Sequence, residues 1–245
     1  MLAHIKNVEL DTRKIVRAIT KAVSEDVPDF MREHPMEFRN YIPMYRGDCI
    51  SENVKQMVCR EGMEVLKFKR NSWTGCLLID RTNKITYSIT THRNLKTIPR
   101  KHRTRPHFVQ SLLGVLNAGL QGQYVQMTLF PMDEFEQDEL EDDYNKIVDG
   151  LVDPDAGFNH YVIAYTYDKN DVIKVDIEFL DGKFNIIEEK SLDEFIKPDY
   201  AKLTETVVSD NPAAEPVATE TKKSLVAFKG DGLVRFKTDL QDKEA

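Results

Sequence analysis

The sequence predicts an α+β fold. Three observations carry it: a helical apolar period over residues 11–27, two separate groups of short runs with the two-residue alternation of strands, and a long acidic connection between those groups. The expected order is a helix-flanked antiparallel N-terminal sheet, an acidic linker, a second small antiparallel sheet, and a C-terminal hairpin on a tether.

Each element has its own signal. Ile15, Ile19, Ala22 and Val23 share one helical face, with Asp11 or Thr12 as cap. Pro28, Pro35 and Pro43 make residues 28–48 irregular, and Ser51 then caps a short helix carrying Val54, Met57 and Val58. Glu64–Arg70 alternates, with Leu66 and Phe68 apolar. Trp73–Asp80 is nearly all apolar, as a central strand is. Arg81-Thr82-Asn83-Lys84 is a turn, and Ile85, Tyr87 and Ile89 share a face of the third strand. Pro106 opens a helix whose buried stripe is Phe108, Leu112, Val115 and Leu116. These elements make a domain over 1–120. A polar linker over 121–157 holds a short helix around Leu140–Val148. The second sheet, over 158–203, is built from Tyr161–Tyr167, Ile173–Phe179 and Phe184–Glu188, with Asp181-Gly182 as a hairpin turn. Residues 204–222 have the composition of a flexible tether, and 223–245 form a hairpin about Gly230-Asp231-Gly232.

Composition narrows the function classes. The 245 residues are 41% hydrophobic and 31% charged, within the globular range. No apolar run reaches the roughly 18–20 residues of a membrane span, and the N-terminal segment has no apolar signal core. Cys49, Cys59 and Cys76 have no metal spacing and read as reduced thiols, so a cytoplasmic protein is expected. The net charge of −7 is strongly segregated. No acidic residue lies between Asp80 and Asp133, a stretch that carries eight cations. From Asp133 to Asp155 eleven carboxylates face Lys146 alone. A basic block beside an acidic one suits phosphate binding with shielding, or simple mutual neutralisation.

Three candidate sites follow. The first is Gln126-Met127-Thr128-Leu129-Phe130, which resembles the pentapeptide by which bacterial proteins hook onto the DNA polymerase sliding clamp. Gln126 would hydrogen-bond a groove edge while Met127, Leu129 and Phe130 fill apolar pockets; the alternative is a latch packed on its own domain. The second is a nucleic-acid surface of Lys67, Lys69, Arg70, Arg93, Lys96, Arg100, Lys101, Arg103 and Arg105, with the helix after Pro106 adding its N-terminal dipole. Trp73 and Tyr87 would stack on bases or sit in the core. The third is Asp176, Glu188 and Lys190, the loose Asp…Glu-x-Lys pattern of metal-dependent nucleases, in which two carboxylates hold Mg²⁺ and the lysine orients water. A one-residue slip decides whether Asp176 and Glu188 share a face, and Lys174, Asp176 and Glu178 also read as the solvent face of a strand. No P-loop, GxSxG, GxGxxG or HExxH motif is present, and neither a cofactor nor a dedicated metal site is expected.

Phe68-Lys69-Arg70-Asn71-Ser72-Trp73, Leu78-Ile79-Asp80 and Ile85-Thr86-Tyr87-Ser88 resemble an uncharacterised bacterial family, a domain of unknown function found in Firmicutes and their mobile elements. The similarity covers most of the chain: the N-terminal helix, the Arg-x-x-Trp strand pair, a Gln-x-x-Leu-Phe segment matched by Gln126–Phe130, and a later sheet matched by Ile173–Leu192. Residues 204–245 lie outside it. The resemblance implies an architecture and a mobile-element or phage-defence setting, not a mechanism. The leading expectation is a non-catalytic DNA-associated accessory protein touching DNA or RNA phosphate and tethered to the sliding clamp. The alternatives are a nuclease centred on Asp176, or a protein-interaction module such as an antitoxin or defence-complex subunit.

Overall fold

The computed structural model describes residues 9–70, 73–122 and 135–196. The chain divides into a unit over Met1–Lys197 and a unit over Pro198–Ala245. The second unit, with the expected tether and hairpin, lies outside the described residues, as does Gln126–Phe130.

Helix α1 (Glu9–Lys21) sends Ile15, Val16, Ala18 and Ile19 into the core. It begins before Asp11 and Thr12, so those residues lie inside the helix and do not cap it. A π turn, Ala22–Asp26, carries the helix without a break into α2 (Val27–Glu33), and Pro28, which has no N–H to give, follows directly after this local widening of the ladder. Pro43 stands in the first turn of α3 (Ile42–Met57), where the missing N–H has no intrahelical partner to lose. Of the prolines read as breakers, Pro43 therefore starts a helix and Pro28 lies within a continuous helical run. The helix expected to begin at Ser51 already runs through that residue, whose hydroxyl donates back to Gly47 O at 2.9 Å.

Strands β1 (Met63–Arg70), β2 (Trp73–Asp80), β3 (Ile85–Thr91), β4 (Asn159–Asp168), β5 (Asp171–Leu180) and β6 (Ile186–Ser191) form one six-stranded sheet in chain order. Neighbours are antiparallel except β3 and β4, which run parallel. The α+β class stands, but the two sheets expected from the sequence are one. A parallel pair needs a long crossover, and that crossover is the acidic stretch together with α4 (His92–Thr97), α5 (Phe108–Leu116) and α6 (Gln137–Val148).

Two apolar clusters cover the two faces. Ile15 and Ile19 of α1 and Ile50 and Val54 of α3 pack with Tyr161, Ile163, Val175 and Ile177. Leu112 and Leu113 of α5 and Tyr144, Ile147 and Val148 of α6 pack with Leu77, Ile79, Val162 and Ala164. Strand β4 thus buries both faces, as an interior strand does. Among the described residues, no helix is long and apolar enough to cross a membrane.

Candidate functional site

The parallel pair ends at Thr91 and Tyr165, and His92 stands just beyond as the first residue of α4. The Thr91 hydroxyl oxygen caps α4 by accepting from the Asn94 N–H at 3.2 Å. The His92 ring lies against β4 and β5. Its Nδ1 is 2.9 Å from Thr166 Oγ1, its Nε2 is 2.7 Å from Asp176 Oδ2, and Glu178 Oε1 is 3.8 Å from Nε2. Lys174 Nζ donates to Asp176 Oδ2 at 2.5 Å and lies 3.8 Å from Glu189 Oε1. Two-residue alternation on β5 puts Lys174, Asp176 and Glu178 on one face, and the pairing of Glu178 with Glu189 adds the third carboxylate.

Electrostatics follow from burial. The Asp176 side chain is 2% exposed, and its Oδ2 is in hydrogen-bond reach of both His92 Nε2 and Lys174 Nζ. Burial first, then the neighbouring charges of Glu189 and Asp176, push Glu178 up to about 7, against the pull of Lys174 and Lys96. The hydrogen bond to Asp176 raises the Lys174 ammonium above its ordinary value. Hydroxyl, imidazole and carboxylate stand in line, with a proton-exchanging Glu178 beside them. This is the group set of general acid–base chemistry, and also of structural ion networks.

The raised Glu178 gives a pH signature. Its stabilising contribution is fully present below the ordinary carboxylate value, 4.5, and is lost as pH rises through about 7. Glu178→Gln should therefore be more stable than the wild type at pH 8, by on the order of 2 kcal/mol, with the advantage shrinking toward pH 5. Urea unfolding at both pH values checks this; a variant weaker than wild type at pH 8 would show that the ionised form is the favoured one.

The register separates the residues chosen from the sequence. Asp176 belongs to the site. Glu188 pairs with Phe179 and Lys190 with Ile177, and these partners belong to the opposite, α1/α3 face. The carboxylates that share a face with Asp176 are Glu178 and Glu189, one residue away in phase. Among the described residues, no group of three His, Cys, Asp or Glu side chains could hold a metal ion. The solvent-face reading of β5 holds at Lys174, which is exposed, and fails at Asp176 and Glu178, which are 1% and 8% exposed. His92, Thr166 and Glu189 were missed. The one available signal was the Lys-x-Asp-x-Glu alternation itself.

The basic block divides in the same way. Arg93 and Lys96 on α4, Arg100 in the 3₁₀ turn Ile98–Arg100, and Lys101 and Arg105 beyond it are exposed. None of these five forms an ion pair among the described residues. Arg103 is half-buried and held by other contacts. Arg70 is engaged: it donates to Asp143 Oδ1 at 2.7 Å and to Pro106 O at 2.8 Å, while Ser111 donates to Asp143 Oδ2 at 2.6 Å. The acidic helix α6 thus neutralises part of the basic block. Lys67 and Lys69 are exposed on the edge strand β1.

The N-terminus of α5 is not an open phosphate site. His107 Nδ1 accepts from the Val109 N–H, and Gln110 Oε1 accepts from the His107 N–H. Burial and then Arg103, Arg70 and Lys101 hold the His107 ring down to about 3, so it stays neutral and able to accept. Tyr87 is core at 1% exposure, whereas Trp73 is 39% exposed against Phe68 and Phe108. His160 is fully buried between Thr86 and Ser88, and burial holds it neutral, down to about 3.

The class defined by these features is an α+β protein with one mixed sheet and a buried polar cluster beside a cationic crossover. The chain belongs to the family of unknown function DUF5986, whose model matches residues 7–233. The match reaches well into the 204–245 extension that the sequence resemblance left out. No curated protein and no solved structure matches the chain.

Proposed function

We propose that this protein binds the phosphate backbone of a nucleic acid through the segment that leaves β3, in a non-catalytic accessory role. The carrying observation is the row of five exposed cations, Arg93, Lys96, Arg100, Lys101 and Arg105, none ion-paired among the described residues. Unpaired cations displace counterions from a polyanion, which favours binding without base recognition. Their position at the carboxyl end of the parallel pair is where open sheets present ligands. Attachment to the sliding clamp through Gln126, Met127, Leu129 and Phe130 is part of the same proposal, as are a cytoplasmic location and a mobile-element or phage-defence setting.

Fluorescence anisotropy with a labelled duplex and a single strand tests it. Wild type should bind at low salt with micromolar affinity, and Arg100→Glu with Lys101→Glu and Arg105→Glu should remove binding while leaving the melting temperature nearly unchanged. Equal affinity in wild type and variant would refute it. A second reading, a hydrolase centred on Asp176, is favoured by the Thr166–His92–Asp176 line. It predicts cleavage that His92→Gln abolishes while binding is kept.

A further inference from the structure

Strand β2 pairs with β1 along its whole length, from Trp73 to Asp80, but with β3 only through Leu78, Ile79 and Asp80. The first half of β2 and the last half of β3 therefore diverge. A cavity of about 220 Å³ fills the wedge, walled by α3 on one side and reaching Phe108 of α5 on the other. The aromatic residues Trp73, Phe108, Tyr87 and Tyr165 line it, together with the polar residues Asp48, Ser51 and Thr74. Phe68 and Phe108 brace Trp73 with ring centroids 5.7 and 5.5 Å away, yet the indole stays 39% exposed. It is a fixed stacking surface that faces solvent.

Charge stands on the α3 side of the sheet. Register pairs Lys67 with Cys76 and Lys69 with Thr74, and both partners line the cavity, so alternation puts the two exposed lysines on the face of Tyr87 and Tyr165, while Trp73 and Phe108 line the cavity from the other face. Burial pushes the Cys76 thiol up to about 11 even with Ser51 and Lys67 beside it, so that part of the wall is uncharged. We propose that the cavity is a nucleobase site, taking one planar base whose attached phosphate meets Lys67 and Lys69. Aromatic stacking accepts any base, while Asp48 accepts from an exocyclic amine or ring N–H. The volume lies below the ~300–1,000 Å³ of drug-sized sites, which suits a single base. The same chemistry is offered by a free mononucleotide and by an unpaired base of a strand.

Trp73 is the only tryptophan of the chain, so its emission reads the site directly. The probes are AMP, GMP, CMP and UMP, a short single-stranded oligonucleotide, and ribose 5-phosphate as a control. We expect saturable quenching by mononucleotides or by the oligonucleotide, and none by ribose 5-phosphate. Quenching by mononucleotides identifies a free-nucleotide site; quenching by the oligonucleotide alone identifies a strand base. Gly47 borders the cavity on α3, and a Cβ there meets no atom within 4 Å, so Gly47→Leu fills the site while favouring the helix. That variant should keep the melting temperature and weaken binding at least about tenfold. Lys67→Glu should weaken nucleotides and spare nucleosides. No change in emission with any probe up to about 1 mM, or unchanged binding in Gly47→Leu, would overturn the proposal. The cavity does not use Arg93–Arg105, so the charge-reversed protein should still bind mononucleotides. Loss of duplex binding with retained quenching refutes neither proposal, and each can fail without the other.

Discussion

Replacing Asn117 with Ala lowers the unfolding free energy by about 3–5 kcal/mol, a drop in melting temperature on the order of 10 °C. The β4–β5 ladder stops at the pair Tyr161–Phe179. One step further, His160 and Leu180 do not pair with each other, and the Asn117 side-chain amide stands between them. Its Nδ2 donates to His160 O at 2.9 Å and to Leu180 O at 2.6 Å, while its Oδ1 accepts from the His160 N–H at 2.9 Å. Asn117 is fully buried at the C-cap of α5, so this one amide ties that helix to two strands. Alanine leaves three buried backbone groups without these partners, each worth about 1–3 kcal/mol. Denaturant unfolding measures the loss. A change below about 1 kcal/mol would mean that water replaces the amide.

Asp181→Ala should be nearly as damaging, and its effect depends on pH. The carboxylate is buried and accepts four hydrogen bonds: from Lys183 N and Asn185 N on Oδ1, and from Gly122 N and Asn185 Nδ2 on Oδ2, all between 2.8 and 3.0 Å. Burial by itself raises this carboxyl, but the bonds from Asn185, Gly122 and Lys183 outweigh it and hold the group below the ordinary carboxylate value. A depressed folded value means that the stabilisation is present above the unfolded value and is lost as pH falls through the folded one. The variant should therefore be weaker by about 2–4 kcal/mol at pH 7, with a gap that narrows below pH 4. A gap independent of pH would show that the carboxylate charge plays no part. The same bonds seat the chain leaving α5 against the 181–185 turn, since a Cβ at Gly122 would stand 2.5 Å from Asn185 Cβ.

Much of the fold was legible because its signals are local. The turn at Arg81–Lys84, strands β1 to β5 and the stripe of α5 follow from alternation and helical period. Two features were hidden by non-local physics. Nothing in the sequence marks Ile85–Thr91 as the parallel partner of Asn159–Tyr165, because that pairing is reached across a crossover of more than sixty residues. Pro28 and Pro43 carry the same sequence signal, but Pro43 starts a helix and Pro28 follows a π turn within a continuous one. The five exposed cations were legible from the run of basic residues, but of the buried polar cluster only Asp176 was. Its neighbours depend on the β5–β6 register, which shifts between Phe179 and Leu180, and this phase puts Glu189, not Glu188, on its face. His92 comes from the start of α4, distant in sequence, so no spacing could announce it.

The salt dependence of nucleic-acid affinity bears most directly on the phosphate-binding proposal. Each phosphate neutralised on a duplex contributes about −0.9 to the slope of log affinity against log salt. If three to five of the exposed cations engage phosphate, wild type should give a slope of about −3 to −5, and the Arg100→Glu, Lys101→Glu, Arg105→Glu protein should lose the binding altogether. A wild-type slope near zero, or the same slope in both proteins, would contradict phosphate binding by this segment.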